Sequence, residues 1–498
     1  MAETKREIER KYESDDSGLP DLTGVGGVAA VLDKGLVELD ATYYDTADQR
    51  LAAASLTLRR RTGGSDAGWH LKLPVAPGVR DEIQAPLSDT LPEELAALVR
   101  SRVREAALVP LVRLRSARDV RHLVDADGAL LAEASVDAVT AERLTGEGGT
   151  VQWTEIEVEL ADGGDPALLD QVEKRLARAG VRPSASPSKL ARALERTGFH
   201  RKPAAPGKPV TAGDHVLAYL RAQRDALVAL DPAVRLDTPD AVHRMRVATR
   251  RARGTLRTFR TVLDRAVTDP IAVELKWLAG ELGIDRDQEV LAERLTTALD
   301  ALAPDLGTGP AHDRLASWAA ARGAGAHAHL TGVLDSSRHL ALLNTLDALL
   351  ADPPLREAAA RKPRKVLAKA VKKDLARLAT LIERALDLPP GEDRDVALHE
   401  ARKKAKRTRY AAEAATPALG APARDLTAAM KSLTTLLGDH QDSVMARRTL
   451  RELAAVAHAA GESEFPYGVL YAREEARAAA AEAELPERWR KARGRSLG

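Results

Sequence analysis

The chain has no cysteine among its 498 residues. That absence removes disulfide scaffolds, thiolate nucleophiles, iron–sulfur clusters and cysteine zinc sites together. Aromatic residues amount to only 3%, so a single-stranded nucleic acid would find few rings to stack on. No apolar run reaches the length of a membrane span. The opening MAETKREIERKYE is charged and lacks the apolar core of a signal peptide; a cytoplasmic protein is the expectation. An excess of charge is also lacking, since 75 Lys and Arg stand against 73 Asp and Glu, leaving +2. Averaged over the chain, that balance argues against a polyanion partner, and only a local reading tests it.

What is present divides into two textures, as expected for a chain too long for one ordinary core. Residues 1–200 read mostly as strands. EIERKYE, LTLRRR, WHLKLP, VRLRSARDVRHLV, LLAEASVDAV and WTEIEVEL alternate every second residue, with turn signals between them at 62–64, 76–78, 125–128 and 146–149. Helical stretches are expected near 92–104 and 166–179, with LARALER closing this half. RKPAAPGKP, residues 201–209, reads as a linker. From 210 to about 490 the chain is rich in Ala, Leu and Arg at helical spacing, with breaks at 237–240, 268–270, 303–310, 352–354, 388–393 and 416–422. The expected architecture is multidomain: an α+β first half and an all-α second half.

The second half repeats itself. His243-x-x-Arg246-x-x-x-Arg250-Arg251-x-Arg253 returns as His399-x-x-Arg402-x-x-x-Lys406-Arg407-x-Arg409, and Leu282-Gly283-x-x-x-Asp287 returns as Leu437-Gly438-x-x-x-Asp442. The offsets are 156 (243 to 399) and 155 (283 to 438). Two separated motifs sharing one offset indicate an internal duplication, with copies at about 211–350 and 360–490. The period is far too long for a solenoid and suggests two helical bundles related by a pseudo-twofold axis.

In the strands, residues two apart share a face. Glu7, Glu9 and Lys11 lie together; so do Arg59 and Arg61, His70 and Lys72, Arg80 and Glu82, Arg113 and Arg115, and Glu155, Glu157 and Glu159. Alternation of this kind is the default for a half-exposed antiparallel sheet. Six strands sharing it, with few Ser, Thr or Gln among the polar positions, favour charged faces that look at one another across a wet interior. Such a cavity suits phosphates, which bases contact directly and carboxylates reach through Mg²⁺ or Mn²⁺.

Glu7-Ile-Glu9-Arg-Lys11 resembles the N-terminal E-x-E-x-K signature of the CYTH domain, a superfamily of class IV adenylyl cyclases, thiamine triphosphatases and inorganic triphosphatases. Tyr43-Tyr44-Asp45-Thr46, Leu58-Arg59-Arg60-Arg61, Leu71-Lys72, Arg80-x-Glu82, Glu155-x-Glu157-x-Glu159 and Ser188-Lys189 follow in the family's order over about residues 3–197. The resemblance implies an eight-stranded antiparallel tunnel that binds a triphosphate with divalent metal. By that likeness Glu7, Glu9, Glu155, Glu157 and Glu159 handle metal, and Glu133 and Asp137 form a further acidic pair. Arg59, Arg61, Lys72, Arg80, Arg115 and Lys189 contact phosphate, and Lys11, Glu7, Glu9 and Arg113 form the catalytic set. The family often has Lys where Arg113 stands. Arginine cannot act as a base, so that task would fall to Lys11 with a neighbouring tyrosine, or to metal-bound hydroxide.

On a helical wheel His243, Arg246, Arg250, Arg253, Arg257 and Arg260 form one stripe, opposite Met245, Ala248, Ala252, Leu256, Phe259 and Leu263. Segment 241–260 holds seven arginines and no acid, without the i,i+4 glutamates of an ordinary exposed helix. His399, Arg402, Lys406, Arg407 and Arg409 repeat it, and 361–373 is a third basic stretch. These helices suit a linear polyanion. Salt bridging within the protein is the plainer alternative, with Asp287 and Asp442 as partners. Neither His243 nor His399 has a metal-ligand partner at i+3 or i+4, so each reads as a hydrogen-bond donor to the same anion.

The duplicated motifs resemble the CHAD domain over about residues 211–485, which implies two four-helix bundles around a basic surface that binds inorganic polyphosphate. CHAD commonly follows CYTH in bacterial chains, so each likeness supports the other. The expectation is an enzyme: metal-dependent hydrolysis of inorganic triphosphate or a related short triphosphate, with polyphosphate held by the helices. A location near polyphosphate granules, no membrane contact and only incidental nucleic-acid binding go with it. A non-catalytic polyphosphate-binding protein and, further off, an adenylyl cyclase-like enzyme are the alternatives.

Overall fold

The structure is a computed structural model that describes residues 3–14, 18–146, 148–199, 207–303, 306, 308–323 and 325–495, the side chains of residues 3 and 285–287 excepted. Residues 201–206 of the expected linker therefore lie outside the described residues. The chain divides into two compact units, Met1–Ala205 and Pro206–Gly498.

In the first unit the alternating segments become eight antiparallel strands: β1 Glu3–Glu13, β2 Ala30–Thr46, β3 Thr57–Thr62, β4 Gly68–Ala76, β5 Val79–Pro86, β6 Leu108–Val124, β7 Leu130–Arg143 and β8 Gly149–Leu160. They close into a barrel in the order β1-β5-β4-β3-β2-β6-β7-β8. β1 makes the closure by dividing its partners: Glu3–Ile8 pair with β5, and Glu9–Glu13 pair with β8. Two of the eight, β2 and β5, were not evident as strands from alternation alone.

Three α-helices complete this unit among the described residues. α1 (Glu93–Val103) and α2 (Ala167–Arg178) cover the outside, with Leu95, Leu98 and Val99 on Leu58, Leu71 and Ile83, and Leu168, Val172 and Leu176 on Ile156 and Val158. α3 (Lys189–Arg196) instead closes one end from within. Its Leu190, Ala193 and Leu194 pack on Ala41, Tyr43, Val112, Leu114, Val139 and Trp153, all on the inward face of their strands. The barrel is therefore apolar at the end α3 fills, while the rest of its interior carries most of the inward charges beside a few apolar residues such as Val37, Leu39 and Val120.

The second unit is all helix: α4 Ala212–Arg235, α5 Ala241–Thr258, α6 Arg265–Glu281, α7 Ile284–Asp300, α8 Gly309–Gly323, α9 Ala326–Asp335, α10 Ser337–Ala351, α11 Pro363–Asp387, α12 Glu392–Leu419, α13 Ala421–Ala459 and α14 Phe465–Arg493. The break expected at 268–270 is absent, because α6 runs through Pro270 and the chain turns at 259–264, where Asp264 accepts from the Ala266 N–H at 2.9 Å. Shifted by 156, α4 falls on α11, α5 on α12, α8 on the start of α14, and α6 with α7 on the single 39-residue α13. The helix that is continuous through Leu437-Gly438 is thus broken at Leu282-Gly283 in the first copy. The two copies share one core, in which Met245, Leu256 and Phe259 meet Leu378, Ala405 and Leu433. Among the described residues, no helix is long and apolar enough to cross a membrane.

Candidate active site in the tunnel and the basic helices

The barrel encloses a cavity of about 610 Å³. Glu7, Glu9, Lys11, Arg59, Arg61, Lys72, Arg80, Glu133, Glu157, Glu159 and Lys189 all line it. Every one lies on a strand face inferred from alternation, except Glu133, which the family likeness supplied, and Lys189, which α3 supplies. The Ser188 side chain caps α3 by accepting from the Ala191 N–H at 3.1 Å, so Lys189 sits at the first helical position, aimed inward.

The charges meet in two main groups, one around Glu82 and Lys72 and one around Glu157, with smaller pairs beside them. Lys72 bonds Glu7 at 2.6 Å, and Lys11 bonds Glu9 at 2.9 Å and also Glu157. Lys189 reaches Asp137 at 2.8 Å, Glu155 at 2.9 Å and Glu157 at 2.6 Å. Glu82, buried, receives His70 at 3.0 Å, Arg59 at 3.4 Å and Lys72 at 3.6 Å. Glu159 stands toward solvent with Lys5 at 2.8 Å. Arg61 is tied to Asp66, and Arg80 donates to the Pro187 carbonyl at 2.8 Å.

Burial opposes ionisation of Glu9, Glu157 and Asp137, but Lys11 and Lys189 hold all three carboxyls below the usual range. Burial likewise opposes the charge on Lys11 and Lys189, and the same carboxylates hold both amines above their usual value. Glu7 behaves differently. Burial pushes it up to about 7, with Lys72 acting against the shift and Glu82 and Glu159 with it. Burial and Arg59 bring the Arg61 guanidinium down to about 9.

Arg113 and Arg115 require correction, because neither lines the cavity. Both point outward from β6, where Arg113 Nε meets Asp40 at 2.9 Å and Arg115 lies 3.9 Å from the same carboxylate. The inward face of β6 is the even one: Val112 and Leu114 meet α3, and Arg118 follows them into the charged part of the tunnel. Arg118 holds Asp137 at 2.7 Å and Glu157 at 2.8 Å. Alternation shows which residues share a face but not which face is inside, and on β6 the apolar side packs on a helix. That helix is inside.

Glu82, His70, Tyr43 and Arg118 are the site residues that sequence reasoning left without a role. Tyr43 accepts from Arg59 at 3.3 Å. The five glutamates do not form a single cluster. Glu155 and Glu157 group with Asp137, each offering an oxygen within 4.8 Å of the others, all three buried.

In the helical unit, α5 and α12 pack against each other, and Gly254 faces Arg407 and Tyr410. The Leu-Gly motif has a steric cause. At Gly283 a Cβ would lie 2.5 Å from Arg246 Nη2, and at Gly438 it would lie 3.3 Å from Arg402 Nη2. The glycine lets the motif's first arginine lay its guanidinium against the backbone in both copies. Arg402 is also 3.9 Å from Asp442, whereas the Asp287 side chain lies outside the described residues. Burial lowers His399, and the side chain of Gln441 bonds it.

The stripe is not uniform. Arg407 is held by Asp374 at 2.6 Å, a buried carboxylate that also takes Lys404 and Thr258 at 2.6 Å each. Arg251 pairs with Glu413 at 2.7 Å, and Arg409 lies 5.0 Å from the Tyr410 ring centroid. Burial lowers both Arg253 and Arg257, and Arg407 adds to each. Burial also brings Lys406 down to about 7, aided by Arg402, Arg250, Arg246 and Arg409. His243 is exposed at the start of α5.

Residues 5–194 match the CYTH domain and residues 218–451 the CHAD domain. An uncharacterized protein of Mycobacterium tuberculosis, Rv2226, is 38% identical over 490 residues, covering 94% of this chain and 92% of its own length. Among solved structures, PptA from Streptomyces chartreusis is 25% identical with a TM-score of 0.47, covering 57% of this chain and 100% of that one. The CHAD domain from the plant Ricinus communis is 24% identical with a TM-score of 0.44, covering 58% and 96%. The chain belongs to the proteins that join an N-terminal CYTH domain to a C-terminal CHAD domain.

Proposed function

We propose that the tunnel hydrolyses a short inorganic triphosphate with the help of a divalent cation, and that the helical unit binds polyphosphate. One observation carries the first part: a cavity of about 610 Å³ whose lining brings together the carboxylates Glu7, Glu9, Glu82 and Glu157 and the bases Lys11, Arg59, Lys72 and Lys189. Lys11, Lys72, Arg59, Arg61, Arg118 and Lys189 would take phosphate oxygens in place of their present carboxylate partners. Asp137, Glu155 and Glu157, with Glu9 on the neighbouring strand, are hard oxygen donors that fit Mg²⁺ or Mn²⁺. Such an ion would neutralise charge on the phosphoryl group undergoing transfer. Glu7, which lines the cavity on the same strand face as Glu9, is the carboxylate placed to take a proton from the attacking water. Arg113, on the outer face, has no part in this reading.

The mutual pairing of nearly every tunnel charge also suits a second reading, a non-catalytic binder whose tunnel is neutralised from within. Phosphate release separates the two. Purified protein with Mg²⁺ or Mn²⁺ is given tripolyphosphate, ATP, thiamine triphosphate and long polyphosphate. Turnover of tripolyphosphate that falls at least about 100-fold in Glu157→Gln supports hydrolysis, by analogy with the loss of one preorganised charge-stabilising group. No turnover of any substrate, with Glu157→Gln and Glu9→Gln indistinguishable from the parent, rejects it.

A further inference from the structure

One end of the tunnel is stopped by α3, and the other opens to solvent. Lys5, Lys34, Leu130 and Asp162 line the cavity at the strand ends farthest from α3, and all four are exposed. The turn between β3 and β4, residues 63–67, lies at this mouth. Gly63, at φ +81°, sits so close to β2 that a Cβ would run into the Glu38 carbonyl oxygen. A Cβ on Gly64 would come 3.0 Å from Leu39 Cδ2. His70 Nε2 donates to the Asp66 carbonyl at 2.9 Å and fixes the backbone there.

From this turn Asp66 directs its carboxylate inward onto Arg61. The two partners are unlike, since the Arg61 side chain is 7% exposed and that of Asp66 40%. Arg61 Nε is buried without a hydrogen-bond partner among the described residues. Glu82, the other carboxylate acting on Arg61, is already shared by His70, Arg59 and Lys72. A buried guanidinium is thus balanced by one carboxylate that solvent can reach, just inside the open mouth. An anion with more charge and more oxygens can take its place.

We propose that Asp66 limits the tunnel to short phosphate chains. The inference rests on reading the tunnel as a phosphate site. Asp66 holds Arg61 until the outermost phosphate of a short chain displaces it, and that phosphate also supplies an acceptor for Nε. The Asp66 side chain then turns to solvent while His70 keeps its backbone in place. A chain that ends at Arg61 leaves the mouth clear. A chain that continues outward runs its phosphates past Asp66 and Asp162, and the like charges disfavour it. Lys5, which could offset them, is taken by Glu159 at 2.8 Å, and Lys34 lies on an exposed stretch of β2.

The test follows phosphate release by the full chain with Mg²⁺ from tripolyphosphate, tetrapolyphosphate and long polyphosphate. Asp66→Asn keeps the size of the side chain and removes its charge. Its KM for tripolyphosphate should fall about threefold or more, the scale of a part-exposed ion pair. Its kcat/KM on long polyphosphate, relative to tripolyphosphate, should rise about tenfold as the repulsion at the mouth is relieved. Asp66→Ser should shift both in the same direction, and Asp66→Glu should keep the order of chain lengths of the parent. The helical unit is identical in all of them, so differences between variants report the mouth. The inference is overturned if Asp66→Asn and Asp66→Ser keep both the KM and the order of chain lengths of the parent. If no protein releases phosphate, the hydrolytic reading fails and titration of tripolyphosphate decides the inference. Asp66→Asn must then bind it about threefold tighter than the parent, and equal affinity overturns the proposal.

Discussion

At the scale of single residues, Arg118 and Arg113 are five positions apart on one strand and lie on opposite sides of the barrel wall. Arg118 satisfies Asp137, which is fully buried, and Glu157. Removing it leaves a buried carboxylate with less compensation and takes a cation out of the tunnel. Arg118→Ala should lower tripolyphosphate affinity by about 10-fold or more, the scale of one lost charge-assisted contact, and should lower the melting temperature. Arg113→Ala should leave both unchanged. Equal effects from the two variants, read by calorimetry and phosphate release, would reverse the sidedness of β6.

Lys406 gives a pH prediction at the same scale. Its amine is held down to about 7 by burial and by Arg402, Arg250, Arg246 and Arg409, and a bound polyanion would raise it. Binding should therefore take up protons at pH values above about 7, and affinity should fall as pH rises from there. Titration calorimetry in buffers of different ionisation enthalpy measures that uptake directly, and Lys406→Arg should abolish it. Proton uptake unchanged in that variant would place the titrating group elsewhere.

At the scale of elements, the two Leu-Gly motifs should respond differently to alanine. At Gly283, where the helix is broken, a Cβ would come within 2.5 Å of Arg246 Nη2, the far end of a flexible side chain that can move away. Gly283→Ala should therefore cost little stability but weaken polyphosphate binding severalfold. Gly438 lies inside continuous α13, with the nearest atom 3.3 Å away. Gly438→Ala should raise the melting temperature, since a helix-interior glycine costs about 1 kcal/mol relative to alanine, and should disturb affinity less. Thermal melts and polyphosphate titrations of the two variants check the contrast.

Elements also show where the sequence was informative. Period-two alternation marked β1, β3, β4, β6, β7 and β8, because each has one apolar and one charged side. β2 was missed because Asp33-Lys34-Gly35 and Glu38 interrupt its apolar positions and much of it is exposed. β5 was known only through Arg80-x-Glu82. α3 was found as a helix, but its place inside the barrel depends on contacts with Val112, Leu114 and Trp153, which are far from it in sequence. No local pattern reports such contacts, so the sides of β6 were exchanged. In the helical half, the 156-residue repeat located both basic helices, whereas Asp374, which claims Lys404 and Arg407, sits alone on α11 with nothing in its spacing to announce it.

For the whole molecule, the near-zero balance of 75 bases and 73 acids comes from two different arrangements. In the barrel, acids and bases interleave and neutralise each other within hydrogen-bond reach. In the helical unit, Asp374 and Glu413 offset part of the stripe, while Arg253, Arg257 and Lys406 sit among like charges. Polyphosphate binding by the full chain should accordingly be steeply salt-dependent, losing about 10³-fold or more between about 50 and 200 mM salt if about six phosphates are contacted. Paired neutralisation of Arg246 and Arg402 should flatten that slope. A slope near zero would mean that these charges are already satisfied within the protein.

β1 closes the barrel by pairing its first part with β5 and its second with β8. During synthesis, then, the segment carrying Glu9 and Lys11 waits until residues 155–159 have emerged before it can complete its hydrogen bonds. The stretch that carries the acidic signature is made before the other strands of the barrel, yet it cannot complete its pairing until β8 exists. Long-range pairing of this kind slows folding and leaves strand edges open while it is incomplete. The tunnel cannot exist in part: until the first strand is seated there is no interior, so assembly of the cavity and completion of the fold are one event.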